Sequence, residues 1–192
     1  MPNVITVNKP MSYVLKKAQS VDQQKISNLI KASVWALSTK DYTKEQIAAA
    51  LTSAWGLDIQ LVEDQTYYCI WADDELAGCG GWSFRKTLFG SSERKDRDSS
   101  LLDPSVDAAK IRAFFIHPLH SRKGLGSMLL KFCEQEAWDA GFTRIELGAT
   151  LPGSRLYHEH DYVAGDTYQF QASAEQSLTI IPMFKCLTER PR

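Results

Sequence analysis

The sequence lacks the features that mark membrane-spanning and secreted proteins. No apolar run of about eighteen residues, the length that a spanning helix needs, occurs in the chain. The first ten residues hold no apolar stretch that would serve as a secretory signal. We therefore expect a cytoplasmic protein with no membrane partner.

An excess of charge of one sign is also missing. The chain has 22 Lys and Arg against 23 Asp and Glu, which gives a formal net charge of −1. No broad basic surface is expected to attract nucleic acid or anionic lipid. The charged run at residues 93–98 mixes both signs, and it is better explained as a solvated loop than as a nucleic-acid patch.

Cysteines at the spacing of a metal site or a redox motif are absent as well. The four cysteines form no C-x-x-C pair and lie in apolar stretches, which favours buried, reduced thiols; they are Cys69, Cys79, Cys133 and Cys186. No cysteine lies at ligand spacing from the paired histidines, and residues two apart on a helix do not share a face. No metal site is therefore predicted from His117 with His120 or from His158 with His160.

What the sequence does contain is the composition of an ordinary globular protein. Hydrophobic residues make up 44% and charged residues 23% of its 192 residues. At roughly 100–200 residues per domain, this length corresponds to one domain. We expect residues 1–10 to form a flexible segment and residues 11–192 to form a single domain.

Hydrophobic periodicity predicts a strand, two helices and a hairpin in the first half. Capping-box spacing at Ser20 with Gln23 and at Thr43 with Gln46 marks the two helix starts. Two stretches rich in aromatic and small residues flank Asp73-Asp74, a pattern typical of a hairpin. The predicted segments are a strand at 13–18, hairpin strands at 66–72 and 76–84, and a polar loop at 85–105.

The second half begins with a strand, a helix and a strand in series. A strand over 110–117 precedes an amphipathic helix that starts near Leu125 and stops before Gly141. Residues 144–149 alternate in polarity and predict a second strand, parallel to the first. A short helix at 154–160 and strands at 162–171 and 177–187 complete the expected order.

The loop before that helix combines glycines with basic residues. It reads Ser121-Arg122-Lys123-Gly124-Leu125-Gly126-Ser127. A helix start leaves backbone N–H groups unpaired and carries partial positive charge, while glycines let a ligand approach the backbone. The pattern indicates a pyrophosphate site. The alternative is a glycine-containing turn with two solvated basic residues.

Two segments resemble the GNAT superfamily of acetyl-CoA-dependent N-acetyltransferases. Residues 111–130, IRAFFIHPLHSRKGLGSMLL, are similar to the family's strand, its V-x-P turn and its [Q/R]-x-x-G-x-[G/A] loop. Residues 149–162, ATLPGSRLYHEHDY, are similar to the helix that carries the tyrosine of the F-Y-E-x-x-G-F signature. Ser121 replaces the usual Gln or Arg, and Asp161 replaces the usual Gly.

The resemblance implies a fold and a cofactor site. The fold is α/β (α+β), with a mixed central sheet of about seven strands flanked by helices. A splayed pair of parallel strands forms the acetyl-CoA cleft, and a backbone N–H near Phe115 and Ile116 stabilises the oxyanion. The implied cofactor-binding residues are Phe114, Phe115, Ile116, Arg122, Lys123, Gly124, Leu125, Gly126 and Ser127.

The resemblance also implies two catalytic residues. Tyr157 matches the family's tyrosine, which protonates the departing thiolate; the alternative is an ordinary half-buried aromatic residue. Glu146 lies on the preceding strand, where several family members carry a glutamate, and it is the candidate base for the amine proton. The alternative for Glu146 is an ion pair with Arg144. His117 and His120 are further candidates for the base.

The implied function is direct transfer of an acetyl group from acetyl-CoA to a primary amine of a small molecule or peptide, without a metal. The alternatives are a non-catalytic acyl-CoA-binding sensor domain and a protein-interaction domain. The sequence does not name the acceptor amine. The oligomeric state is left open, a homodimer included.

Overall fold

In a computed structural model, the described residues, 12–87 and 98–191, form eight strands and five helices. The strands are β1 (Tyr13–Lys17), β2 (Tyr67–Ala72), β3 (Glu75–Ser83), β4 (Ala109–Ile116), β5 (Arg144–Ala149), β6 (Val163–Ala164), β7 (Tyr168–Gln171) and β8 (Ser177–Cys186). The helices are α1 (Gln23–Leu37), α2 (Lys44–Ser53), α3 (Ile59–Glu63), α4 (Leu125–Asp139) and α5 (Ser154–His158). None of these helices is both long and apolar enough to cross a membrane.

The strands form one mixed sheet in the order β1-β2-β3-β4-β5-β8-β6, and β7 also pairs with β8. β4 and β5 are parallel, and the other pairs are antiparallel. This confirms the expected mixed sheet. There are eight strands where about seven were expected, because the segment at 162–171 forms both β6 and β7. Gly165, directly after β6, donates its N–H to the Pro182 carbonyl.

Of the two predicted capping boxes, the structure confirms one. Thr43 and Gln46 form the expected capping box, with N–H to side-chain oxygen distances of 2.9 and 3.2 Å. The box predicted at Ser20 is wrong, because Gln19 donates its N–H to Asp22 Oδ2 over 2.9 Å instead. That bond opens a 3₁₀ turn that leads into α1. Sequence periodicity missed α3, since its five residues are too short to show a helical repeat.

The sheet separates two apolar cores. Alternate residues of β2 belong to different cores, because successive side chains of a strand point to opposite faces. Tyr68 and Ile70 join the core under α4, whereas Tyr67 and Cys69 join the core under α1, α2 and α3. Helices α4 and α5 therefore cover one face of the sheet, and α1, α2 and α3 cover the other.

Three of the four cysteines are buried as predicted. Cys186 is exposed, which corrects the expectation that it lies in apolar surroundings. It is the last residue of β8, and the next residue, Leu187, is the one that turns inward to the core.

Some expectations fall on residues that the structure does not describe. The segment at 1–10 lies outside the described residues, as do residues 88–97 of the polar loop, which hold all of the charged run at 93–98 except Asp98. At the near side of that loop, Arg85 forms a bidentate ion pair with Asp64, with distances of 2.7 and 2.8 Å. A single domain over 11–192 stays a prediction.

Candidate active site

A cavity opens where the two parallel strands separate. β4 has eight residues and β5 has six, and both strands lie wholly within the described residues. They are paired only at their beginnings, with Ala109 opposite Ile145 and Lys110 opposite Glu146. Beyond these pairs, the strands line a cavity of about 280 Å³.

An extra residue in β4 accompanies this separation. The register with β3 shifts by one residue between Cys79 and Gly81, which is the signature of a β-bulge. Ala113 has a φ of +54°, a left-handed conformation that residues other than glycine adopt infrequently. The buried Tyr67 hydroxyl donates a hydrogen bond to the Ala113 carbonyl oxygen over 2.9 Å and stabilises the bulge.

The bulged strand contributes side chains to both faces of the sheet. Phe114 and Ile116 pack with the core under α4, whereas Ala113 and Phe115 pack with the core under α1. All four line the cavity, so the cavity connects the two faces. Phe114 lies directly over Gly80, where an added Cβ would be 2.5 Å from the phenyl ring.

The beginning of α4 adjoins this cavity. Arg122 and the helix-capping Gly124 have φ values of +60° and +78°, so the chain turns sharply before the helix. The N–H groups of Leu125, Gly126 and Ser127 belong to the first turn and have no carbonyl partner within the helix. The helix dipole adds partial positive charge, and the combination favours an anionic ligand.

The predicted loop residues differ in their environments. Arg122 and Lys123 are exposed, whereas Leu125 is buried and packs in the core. Gly126 lines the cavity, and a Cβ added there would lie 3.2 Å from the Leu156 side chain. The loop thus offers backbone N–H groups and two exposed basic side chains to a ligand, whereas the Leu125 side chain packs in the core.

Tyr157 lies on the cavity wall, as the resemblance implied. It belongs to α5, is 8% exposed, and packs edge to face on Tyr162 with 5.7 Å between ring centroids. Burial, with a smaller contribution from Cys133, raises the pKa of the Tyr157 phenol. The hydroxyl therefore stays protonated at neutral pH and is available as a proton donor.

Glu146 lies outside this cavity. Its carboxylate pairs with Lys110, and the two side chains are 27% and 9% exposed. They line a shallow groove on another part of the sheet. Arg144, the partner considered in the alternative, instead donates to the Val106 carbonyl. The placement of Glu146 argues against a role as the general base.

The two histidines near the helix start have structural contacts. His117 accepts a hydrogen bond from the Leu119 N–H at 3.4 Å and so caps the turn before α4. His120 is buried and lies 3.2 Å from the Tyr13 hydroxyl. Burial, and then the charge of Lys123, lowers the pKa of His120. Among the described residues, no group of three potential metal ligands is present.

Sequence reasoning missed the residues that line the α1 side of the cavity. They come from α1, from the segment after α2 and from β8, and none belongs to a motif: Ser33, Val34, Leu37, Ser38, Trp55 and Ile180. It also missed the ion pair between Arg112 and Asp58, at 2.5 Å with side chains 2% and 1% exposed. An arginine in an otherwise buried strand was the available signal, because such a charge needs a partner.

The chain matches the model of a known protein family. Residues 31–162 match the model of the Acetyltransferase (GNAT) family, which is more than half of the chain. The chain is a GNAT acetyltransferase. The family and enzyme class implied by the two sequence segments are thereby confirmed. No curated protein matches the sequence significantly.

Solved GNAT structures share the fold at low sequence identity. The GCN5-related N-acetyltransferase of Rhodopseudomonas palustris has a TM-score of 0.68 at 18% identity, covering 94% of this chain and 100% of that chain. The PaiA N-acetyltransferase of Thermoplasma acidophilum, in complex with coenzyme A, has a TM-score of 0.64 at 15% identity, with 92% and 99% covered. The Salmonella typhimurium protein yncA, with its cofactor acetyl-CoA, has a TM-score of 0.59 at 17% identity, with 93% and 95% covered.

Proposed function

We propose that this GNAT protein transfers an acetyl group from acetyl-CoA to a primary amine. The observation that carries the proposal is the cavity between β4 and β5, which brings the start of α4 and the buried Tyr157 to one place. Two structural relatives support the choice of donor, since one is in complex with coenzyme A and another with acetyl-CoA.

The residues on the α4 side fit an acyl-CoA. The free N–H groups at Leu125–Ser127 suit its pyrophosphate, and the exposed Arg122 and Lys123 add positive charge. β4 and β5 do not pair beyond Lys110, so the gap between the two strands leaves room for the polar pantetheine arm to bind backbone groups. When bound, acetyl-CoA supplies the acetyl group as a reactive thioester.

Three apolar side chains keep water away from the reacting end of the donor. Phe114, Ile116 and Leu156 line the α4 side of the cavity, and water exclusion strengthens every polar interaction inside it. Tyr157, whose pKa is raised by burial, holds a proton on its hydroxyl. We assign to it the protonation of the leaving thiolate.

A different route is needed for the proton of the amine. No carboxylate or histidine from the described residues lines the cavity, and Glu146 is paired with Lys110 elsewhere. We therefore assign proton removal to water at the open mouth of the cavity. The glutamate that several family members carry on this strand is therefore not assigned this role here.

Calorimetric titration of acetyl-CoA into native protein and two variants of Gly126 tests the donor site. Gly126→Glu should weaken binding at least about tenfold, because its carboxylate repels the pyrophosphate. A carboxylate in the first turn favours the helix, and thermal unfolding of each variant would show whether a loss of binding reflects a loss of fold. Gly126→Ala is the control: its Cβ meets only the end of the Leu156 side chain, at 3.2 Å, and binding should persist.

Release of coenzyme A thiol in the presence of an amine panel tests turnover. Thiol release that depends on an amine supports the transferase. Acetyl-CoA binding without amine-dependent release from any amine in the panel would favour a sensor domain. Failure of the native protein to bind acetyl-CoA would overturn the proposal altogether.

A further inference from the structure

We infer that the acceptor is a small amine carried on one apolar or aromatic group, and that it enters the cavity uncharged. This inference rests on the proposed function and names the acceptor class of the same site. It depends on the residues that line the α1 side of the cavity, none of which belongs to a family motif.

The α1 side of the cavity is predominantly apolar. Val34 and Leu37 of α1 line it together with Trp55 and Ile180. The polar side chains on this side are uncharged hydroxyls, such as those of Ser33 and Ser38. Such a surface gains free energy by covering an apolar group, at about 25 cal/mol for each Å² removed from water.

The charge on the cavity wall opposes a cationic acceptor. Among the described residues, no Asp, Glu, His or Lys lines the cavity, and Arg112 is its one charged lining residue. Arg112 is buried in an ion pair with Asp58, and Tyr157 is kept neutral by its raised pKa. An ammonium group would therefore enter with no carboxylate to pair with it.

An amine enters such a site more readily after losing its proton. Transfer of an unpaired ammonium into apolar surroundings costs several kcal/mol, and the amine avoids this cost by deprotonating. This is consistent with the absence of a side-chain base among the described lining residues. A diamine or polyamine would bring a second ammonium group into the cavity without a carboxylate partner. An aminoglycoside would bring several such groups.

The size of the cavity limits the acceptor further. Ligand pockets typically measure about 300–1,000 Å³, and this cavity of about 280 Å³ must also hold the acyl end of the donor. A single ring or a short alkyl chain with a terminal amine fits that volume, whereas an oligosaccharide does not.

A matched pair of primary amines tests the inference in the native enzyme. With acetyl-CoA as donor, 2-phenylethylamine should show a kcat/KM at least about tenfold above that of 1,5-diaminopentane, whose second ammonium has no partner. Calorimetry provides an activity-independent readout: N-acetyl-2-phenylethylamine should bind the protein in the presence of coenzyme A, and monoacetylated diaminopentane should bind at least about tenfold more weakly.

Variants of Leu37 isolate the effect of charge. Leu37 lines the cavity and is 39% exposed, so a polar replacement is tolerated. Leu37→Glu should shift the preference toward the diamine relative to Leu37→Gln, which has the same shape without charge. Trp35→Glu, 42% exposed on α1 and not lining the cavity, adds the same charge elsewhere and should leave the preference unchanged.

The outcomes separate this inference from the proposed function. Equal or better use of the diamine by the native enzyme, or identical preferences in Leu37→Glu and Leu37→Gln, would overturn the acceptor class while leaving acetyl transfer intact. Acetyl-CoA binding without acetylation of any amine would overturn both.

Discussion

At the scale of single residues, the buried phenol of Tyr157 makes the clearest prediction. Tyr157→Phe keeps the ring that packs on Tyr162 and removes only the proton donor. We expect kcat to fall by roughly 10²–10⁴-fold, the usual contribution of a general acid, with acetyl-CoA affinity unchanged. Single-turnover kinetics would measure the chemical step directly.

The leaving group provides a control for this variant. An acyl donor whose thiol has a lower pKa needs less help from an acid, so the defect of Tyr157→Phe should shrink with it. A variant that acetylates at the native rate, with chemistry rate-limiting, would show that Tyr157 is a packing residue and that water protonates the thiolate.

For Glu146 we predict a loss of stability and not of activity. Glu146→Gln should leave kcat close to native, because the carboxylate lies outside the cavity. It should lower the free energy of unfolding by about 1–3 kcal/mol, since the largely buried Lys110 loses its charged partner. Urea denaturation and steady-state kinetics on the same variant would measure both. A fall in kcat of a hundredfold or more with unchanged stability would restore Glu146 as the base.

The two residues show where sequence reasoning stops. The helical position of Tyr157 was predictable because a local motif determines the helix, and its role as an acid stays a proposal. Glu146 was placed on the correct strand, but its partner belongs to the neighbouring strand and depends on register. The Arg112–Asp58 pair was missed for the same reason, since β4 and the start of α3 meet only in three dimensions.

At the scale of elements, we expect the cavity to depend on the bulge in β4, which lies where β4 and β5 separate. Its left-handed residue, Ala113, depends on the hydroxyl of Tyr67 in β2. Tyr67→Phe should lower stability by about 1–3 kcal/mol. It should also weaken acetyl-CoA binding, because the bulge is free to straighten toward β5. Calorimetric titration alongside thermal unfolding measures the two effects.

The adjacent Tyr68 provides a matched control. Its hydroxyl donates to Glu136 of α4 over 2.9 Å, on the other face of the same strand. Tyr68→Phe loses a comparable hydrogen bond but leaves the bulge untouched. We therefore expect this variant to be less stable than the native protein and to bind acetyl-CoA with native affinity. Equal loss of affinity in both variants would mean that affinity simply follows stability.

Helices and strands with a clear period were predictable, and the bulge was not. The hydrophobic period specifies α4, and the turn at Asp73-Asp74 specifies the hairpin of β2 and β3 locally. The conformation of Ala113 has no local cause, because alanine does not favour a positive φ. It arises from the register with β3 and from the hydrogen bond of Tyr67, both of which are tertiary.

At the scale of the whole molecule, the two substrates of the proposed reaction would reach one cavity from opposite faces of the sheet. Chain order alone predicted the donor side, because the strand, loop and helix of that side are consecutive. The acceptor side combines α1 and the segment after α2 with β8, which lies more than a hundred residues further along the sequence. Their joint chemistry was visible only after folding.

The same two-core architecture predicts how the four thiols react. Cys69, Cys79 and Cys133 are buried in the cores, and burial raises their pKa values, that of Cys79 to about 12. They should react with a thiol reagent only when the protein opens, at rates that follow the free energy of opening. Cys186 is exposed at the end of β8 and should react at once.

Thiol titration with an aromatic disulfide would therefore show one fast-reacting group in the native protein and four in denaturant. Cys186→Ser should abolish the fast phase and leave the slow phase unchanged. Because Cys186 lies in the shallow groove and not in the cavity, blocking it should preserve acetyl transfer. A second fast thiol would mean that one core opens independently of the other.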